Sequence, residues 1–391
     1  MLKNPIAPWP CFTDEEADAI KRVLKSNQVN YWNGEEGRAF EAEFANFAAT
    51  RHALALANGT LALELALEVA GIGEGDDIIV TPRTFIASAS CVVRLGGRPI
   101  FADVSIESQN ITPETVKAAL TPNTQAIIAV HHAGWPCDMD GLMEIARERN
   151  LIVIEDCAQA HGATYKGRPV GGLGHIAAFS FCQDKIMTTG GEGGMLVTND
   201  EALWKRAWSI KDHGKSYDAV FHKDHPPGFR WLHESFGTNM RMTEMQAAIG
   251  RIQLTRMERW SEIRNRNAAR IIETLRKFPS MRVPVPPSDI RHAYYRLYAF
   301  VEPEQLADGW DRDRIMNEIN AAGVPCFSGS CPEIYDEKAF EKDGLRPAER
   351  MSNAHELGPL SLAFLVHPTL TDDDLNRVCE TLDSVLTNAT A

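Results

Sequence analysis

Between about residues 50 and 250, short apolar runs alternate with stretches of helical period. The apolar runs are DDIIVTP (76–82), GRPIFADV (97–104), TQAIIAVHH (124–132) and NLIVIEDCA (150–158). Each is continuous rather than alternating and is bounded by turn residues, as strands buried on both faces are. Between them lie GTLALELALEVAG (59–71) and DMDGLMEIARERN (138–150), which repeat their apolar positions at helical spacing. Strands and helices in alternation build βαβ units and a mostly parallel sheet covered by helices. In such sheets ligands bind beyond the carboxyl ends of the strands. Five places there carry chemistry: Asn58-Gly59-Thr60, Thr84-Phe85, His131-His132, Glu155-Asp156, and the segment AAFSFCQDKIMTTGGEGG (177–194) around Lys185.

The chain extends well beyond this sheet. FTDEEADAIKRVL reads as a capped helix, with Thr13 and Glu16 forming a capping box. Residues 240–278 read as one or two long helices, followed by a proline-broken stretch and then the strand-like RHAYYRLYAF. With 391 residues, one large and one small domain are expected, divided as 1–265 and 266–391. The net charge of −13 argues against nucleic acid or an anionic membrane as a non-specific partner. It leaves room for an anionic small ligand held by local backbone donors. The eight cysteines are scattered without CxxC spacing, and MLKNPIAPWP lacks the apolar core of a signal peptide. No apolar run of about twenty residues is present to cross a bilayer. A cytoplasmic protein with reduced thiols is the expectation.

Three segments carry the candidate chemistry. In LANGTLALELAL, Gly59 permits a tight turn and Thr60 opens a helix whose free amides suit a phosphate, although Gly-Thr also serves as a plain cap. In LIVIEDCAQAHGA, at least one of Glu155 and Asp156 falls at a strand's carboxyl end. A buried acid there needs a partner, which a heteroaromatic ring nitrogen, a metal or a salt bridge would each supply. Lys185 follows the apolar IAAFSF and precedes TTGGEGG, too glycine-rich for a helix. A Schiff-base lysine needs partial desolvation and room to swing, and this placement offers both.

Together ANGTLAL, PRTFIASAS, IEDCAQAHGA, FSFCQDK, GGEGG and GTNMRMTEMQAAIG resemble the DegT/StrS sugar aminotransferases, in order from about Pro5 to past residue 360. The resemblance implies an α/β chain of PLP-transferase fold type I, like aspartate aminotransferase, with a large mostly parallel sheet domain flanked by helices and a smaller C-terminal α/β domain. It implies pyridoxal 5′-phosphate as cofactor, with Lys185 as the Schiff-base lysine. Asp156 matches the acid at the pyridine nitrogen, Gln159 a contact to the ring's 3-oxygen, and Phe85 the ring stacked on the cofactor. Gly59, Thr60 and Ser180 match the phosphate cradle. Asn239 matches an asparagine reaching the neighbouring subunit's cofactor, so a homodimer is the implied active unit. The implied reaction is ping-pong: an amino donor, usually glutamate, gives its amino group, which then passes to a keto-sugar, most often nucleotide-linked, in polysaccharide or glycoside biosynthesis. Departures include Asn58 in place of serine or threonine, His175 in place of aspartate, and Cys182-Gln183 before the lysine. Sugar dehydratases of the family carry histidine where this chain has Lys185, which favours amino transfer. Cyclitol amination, sugar dehydration and a non-catalytic regulator are the alternatives.

Other features carry less. GGLGHIAAF has the glycines of a dinucleotide motif but opens no βα turn with an acid about twenty residues on. His131-His132 near Asp138 lacks a third metal ligand at helical or turn spacing, so no metal is expected; His131 is read as lining the active-site mouth, with a plain structural role as the equal alternative. Tyr31 and Trp32 in NYWNGEEG offer rings to stack on a base or sugar, and Tyr294 lies in a region such enzymes use near the sugar nucleotide, although core packing is the better reading for most of Tyr294, Tyr295 and Tyr298. In RHAYYRLYAF, alternation would place Tyr294 and Arg296 on one face and Tyr295 on the other. GVPCFSGSCPEIY (323–335) is a further candidate for the same mouth.

Overall fold

The structure, a computed structural model, describes residues 6–391. The amino-terminal reading above rests partly on residues 1–5, which lie outside the described residues. Nine strands form the first part: β1 (His52–Leu56), β2 (Asp77–Val80), β3 (Arg98–Phe101), β4 (Thr124–Val130), β5 (Ile152–Asp156), β6 (Thr164–Tyr165), β7 (Arg168–Pro169), β8 (Ile176–Ser180) and β9 (Gly194–Thr198). Seven of them make one sheet in the order β1-β9-β8-β5-β4-β2-β3. Pairings from β8 to β3 are parallel, and only β9 runs antiparallel to its neighbours β8 and β1. The continuous apolar runs are explained by two separate cores, one on each face of this sheet.

Register brings the functional ends into line. Val130, Asp156 and Ala178 pair across β4, β5 and β8, while Ser180, Gly194 and Leu56 pair across β8, β9 and β1. The carboxyl ends of β1, β4, β5 and β8 therefore open on one edge, where the helix Gly59–Val69 also begins.

The expected helical region 240–278 is two helices, Glu244–Thr255 and Met257–Leu275, which break at Arg256. The change of core falls inside the second of these. Met257 and Trp260 pack with the large sheet, whereas Ala268, Ile271 and Leu275 pack with a second, four-stranded sheet. After β10 (Met281–Arg282) and β11 (Ile290–Arg291) come β12 (Leu297–Val301), β13 (Cys326–Phe327) and β14 (Ser361–Phe364). That sheet is antiparallel in the order β10-β12-β14-β13, and β11 instead pairs with β6, tying the chain back to the large unit. The expected alternation in RHAYYRLYAF fails before Leu297 because Tyr294 adopts a left-handed φ of 48°, and the strand starts only after it.

Candidate active site

A cavity of about 660 Å³ lies at the carboxyl edge of the large sheet. Its lining brings together Gly59, Thr60, Phe85, Asp156, Gln159, Ser180 and Lys185, residues singled out from distant parts of the sequence.

Asp156 and Glu155 end the same strand and have opposite surroundings. Glu155 is fully buried and accepts from His131 Nε2 (3.0 Å) and from the amides of Gly171, Leu173 and Gly174 (2.9, 2.8 and 2.7 Å). Burial works to raise its pKa, but the His131 bond and charge and the backbone donors outweigh it and hold the carboxyl below its ordinary value. The glycine run of GGLGHIAAF thus wraps an acid. Asp156 points into the cavity. It accepts from Ser88 Oγ (2.8 Å) and from the Ala158 amide (3.1 Å), which offset burial only in part, so its pKa is raised. A carboxylate held this way gains from a positively charged partner in the cavity, and a protonated pyridine nitrogen is such a partner.

Gly59 is set by close approach. A Cβ there would stand 2.5 Å from Ser180 Cβ and 2.9 Å from Ser180 Cα, so only glycine lets the helix start lie against the end of β8. Asn58 caps that helix by accepting from the Leu61 amide at 2.9 Å. The first amides of a helix have no acceptor within it, so those of Gly59 and Thr60 are available at the cavity, beside Ser180. Such an end suits a phosphate.

Gln159 is oriented by the backbone: its Oε1 accepts from the Ala133 amide at 2.7 Å, leaving the side-chain amide as a donor at the cavity. Phe85 stands at the mouth, 67% exposed, with a ring face free to cover a flat ligand. Lys185 is largely withdrawn from solvent, its Nζ 3.7 Å from Asp184 Oδ1 and 5.0 Å from the centre of the Tyr295 ring. Its backbone carbonyl accepts from Trp9 Nε1 at 2.8 Å, so the amino-terminal segment pins the lysine's loop. Asp184 is also bonded by the Tyr295 hydroxyl. Burial raises the pKa of Asp184, yet the Lys185 charge and the tyrosine bond bring it below its ordinary value.

The cavity continues into a second chamber of about 360 Å³ that shares Thr84, Phe85, Gln159, Asp184 and Lys185. Its far wall comes from the smaller sheet and the loop after β13: Tyr295, Arg296, Tyr298, Phe327, Ser330 and Cys331. The expectation that 323–335 approaches the mouth matches this placement.

Other expected residues are not brought here. His131 is fully buried, with Nε2 on Glu155 and Nδ1 accepting from the Cys137 amide at 3.0 Å, so it braces the strand end and does not line the mouth. Glu155, His131 and Cys157 lie close enough to suggest a metal, but the histidine nitrogens and both carboxylate oxygens are already hydrogen-bonded within the fold. Tyr294 is buried in the core of the smaller sheet, turned away by its left-handed backbone. Tyr31 covers the buried Lys211, whose Nζ lies 3.5 Å from its ring centre, and Trp32 packs edge-on against Trp208. Neither ring reaches the cavity of its own chain. Asn239 is exposed, bridged to Asp212, and likewise outside this chain's cavity.

Sequence reasoning passed over Ser88, which holds Asp156 and stands 3.0 Å from the hydroxyl of Thr84. Ser88 lies in the first turn of the helix Ala87–Arg94, four residues after Thr84, and that spacing was the available signal.

A buried acid at a strand end, a tethered lysine, a donor-bearing helix start and an open aromatic ring make the fit to pyridoxal phosphate complete in kind. They define a pyridoxal phosphate enzyme of the aspartate aminotransferase fold. The chain belongs to the DegT/DnrJ/EryC1/StrS aminotransferase family, whose profile matches residues 10–383. The chain is 58% identical to an aminotransferase from Psychrobacter cryohalolentis of known structure, which superposes with a TM-score of 0.97 over 98% of this chain and 99% of that one. It is 36% identical to the GDP-perosamine synthase of Caulobacter vibrioides, covering 91% of this chain and 92% of that protein. It is also 36% identical to the dTDP-3-amino-3,4,6-trideoxy-alpha-D-glucose transaminase of Streptomyces venezuelae, over 93% and 89% of the two chains. The protein is therefore an aminotransferase with pyridoxal 5′-phosphate as its cofactor.

Proposed function

We propose that this aminotransferase moves an amino group from L-glutamate to a nucleotide-linked keto-sugar in two separate half-reactions. The observation that carries the reading is Lys185 facing Asp156 and Gln159 across one cavity, in a chain whose relatives include two named for amino sugars. Bound there, the cofactor supplies an electron sink and a carrier for the amino group. Lys185 would tether it and carry a proton during amino transfer, and Asp184 Oδ1 stands 3.7 Å from its Nζ. Asp156 keeps a proton on the ring nitrogen, and Ser88 fixes the carboxylate that does so. Gln159 would offer its side-chain amide to the ring oxygen, the amides at Gly59 and Thr60 and the Ser180 hydroxyl would hold the phosphate, and Phe85 would cover the ring.

The active unit in this reading is a homodimer in the cytoplasm. Asn239 lies near an exposed stretch in which Phe229, Trp231 and Phe236 are 76%, 83% and 99% exposed, an apolar surface that a second copy would cover. Asn239 would then serve the neighbouring subunit's phosphate. Among the described residues no helix is long and apolar enough to cross a membrane. The boundary between large and small domains is placed near residue 265, where the helix Met257–Leu275 passes from one core to the other.

The test is an absorbance titration of the purified holoprotein. Glutamate should bleach the band of the lysine-bound cofactor, and 2-oxoglutarate should restore it. A spectrum indifferent to glutamate removes the donor assignment. Borohydride should fix the cofactor's mass on Lys185 and not on Lys185→Ala; a fixed adduct elsewhere removes the lysine assignment.

A further inference from the structure

Lys185 stands on backbone that belongs to no strand or helix. Between Ser180, which ends β8, and Gly194, which opens β9, the chain runs as turns and bends. Ile186 and Met187 are buried in the core of the large sheet, so the freedom of this turn lies just before them. Within the turn the Lys185 amide donates to the Cys182 carbonyl at 3.1 Å. The Lys185 carbonyl is held from far along the chain, by Trp9 Nε1 at 2.8 Å.

The strap that carries Trp9 is fastened to the smaller unit. Ile6 packs on the core of the smaller sheet, and Thr369 Oγ1 donates to the Pro8 carbonyl at 2.7 Å. The Trp9 ring stacks on His367, with centres 6.0 Å apart and planes at 19°. Thr369 and His367 both follow β14. The indole also meets the helix Met257–Leu275, with Trp260 edge-on at 5.1 Å and the buried Arg264 guanidinium 5.0 Å from its centre. Arg264 in turn donates from Nη1 to the Tyr294 carbonyl at 3.2 Å, just before β12. A ring packed by three such groups keeps one orientation, and that orientation aims its N–H at Lys185.

We propose that Trp9 is a positioning residue for Lys185, the joint through which the smaller unit sets where the lysine stands. The proposal rests on the assignment of Lys185 as the cofactor's lysine. Two side chains tie adjacent residues of the turn: Trp9 bonds the Lys185 carbonyl, and Tyr295, just before β12, bonds the Asp184 carboxylate. Trp9 lines neither chamber, so its effect on the chemistry passes through the lysine's backbone. A shift of the smaller unit that moves His367 and Thr369 therefore moves the donor on which the lysine's turn hangs.

Trp9→Phe keeps a ring in the slot and removes the donor. In cofactor-free protein, amide exchange read by mass spectrometry should rise about fivefold across 182–187, as the loss of one hydrogen bond allows, and stay at the wild-type rate in β4 and β5. Added pyridoxal phosphate should form the lysine-bound absorbance about fivefold more slowly. In a Lys185→Ala background, calorimetry should give the same cofactor affinity with and without Trp9→Phe. Thr369→Val, which frees the Pro8 carbonyl and leaves the indole in place, should show the same pattern at smaller size, and it carries the test if Trp9→Phe does not fold. Unchanged exchange at 182–187, exchange raised equally in β5, or an unchanged rate of bond formation overturns the proposal. So does a loss of affinity in the Lys185→Ala background, because the strap would then act on the whole chamber. If Lys185→Ala itself forms the lysine-bound absorbance, the lysine assignment fails, and exchange at 182–187 still decides whether the strap holds that turn.

Discussion

The two chambers of the cleft are built from different materials. The cofactor chamber is floored by strand ends and backbone amides: Asp156 ends β5, Ser180 ends β8, and Gly59 starts a helix pressed against it. The second chamber is walled by side chains on the smaller sheet and the loop after β13, where the Tyr298 hydroxyl accepts from the Ser330 amide at 2.8 Å. Sheet register fixes the first to within the stiffness of a core, while the second depends on rotamers and one loop. Chemistry common to a family belongs in the first kind of wall, and choice of substrate in the second.

The largest effect that bears on this contrast is expected at Asp156. In the proposed reading Asp156→Asn removes the charge that would keep a proton on the ring nitrogen, and amino transfer should fall at least about 1000-fold, equivalent to about 4 kcal/mol. Burial has raised this acid's pKa, so in cofactor-free protein its stabilising contribution is present in acid and lost as pH rises. The cofactor-free variant should therefore be as stable as the wild type at neutral pH, or more so. A stability loss above about 2 kcal/mol would make Asp156 part of the scaffold and break the contrast.

One residue earlier the sign reverses. Glu155→Gln takes the charge from one His131 bond and three amide bonds, and urea unfolding should show a loss of about 3 kcal/mol. The folded pKa of Glu155 is lowered, so its contribution is complete above the unfolded carboxyl value of about 4.3 and disappears as pH falls through the folded value. The acid limb of stability against pH should be shallower in the variant. An unchanged limb would assign the acid sensitivity to other groups.

At Gly59 two effects compete. Alanine is the better helix former by about 1 kcal/mol, but its Cβ would meet the backbone of Ser180. Overpacking of this kind costs about 1–3 kcal/mol, so the clash wins. Gly59→Ala should melt lower and bind pyridoxal phosphate about tenfold more weakly by fluorescence titration. Wild-type affinity would show that the helix start shifts freely, and the first chamber would lose its claim to rigidity.

How much of this was legible in the sequence follows the same division. The runs ending at Val80, Val130, Asp156 and Ser180 declared themselves by continuous apolarity, because strands covered on both faces have no polar side to hide. Lys185, Asp156 and Gln159 could be found because motif order and strand ends both mark them. Periodicity alone did not say which of Glu155 and Asp156 faces the cavity, since that depends on amides at 171–174 that arrive from another segment, and only the resemblance chose Asp156. For His131 the structural alternative is the one seen, because its partners, Glu155 and the Cys137 amide, are fixed by pairing and turn geometry. Tyr294 was a site candidate only through its neighbourhood, and it takes the core-packing role instead, with a left-handed backbone that ends the expected alternation. Tyr31 and Trp32 carry the composition of a ligand loop, but here they cover Lys211 and pack on Trp208. The second chamber stayed illegible as a unit because its walls come from 84–86, 295–298 and 327–334, which no local periodicity connects.

The smallest expected effect is in that second wall. Tyr298→Phe removes the acceptor for the Ser330 amide and the contact to Ser330 Oγ at 3.3 Å, while keeping the ring beside Arg83. Ser330 is only partly buried, so water can replace the lost acceptor, and the stability cost should stay below about 1 kcal/mol. Gly329 nevertheless sits at φ +93° against the Tyr298 ring, and the loop loses its tie at Ser330 while keeping the bond from Ser361 Oγ to the Ser328 carbonyl. The half-saturating glutamate concentration should rise by about two- to fourfold, with the maximal rate of bleaching unchanged and cofactor affinity at the wild-type value. That split, donor binding altered while the cofactor chamber is untouched, is what separate construction of the two walls requires. A fall in cofactor affinity in Tyr298→Phe comparable to that in Gly59→Ala would mean that the chambers share one scaffold.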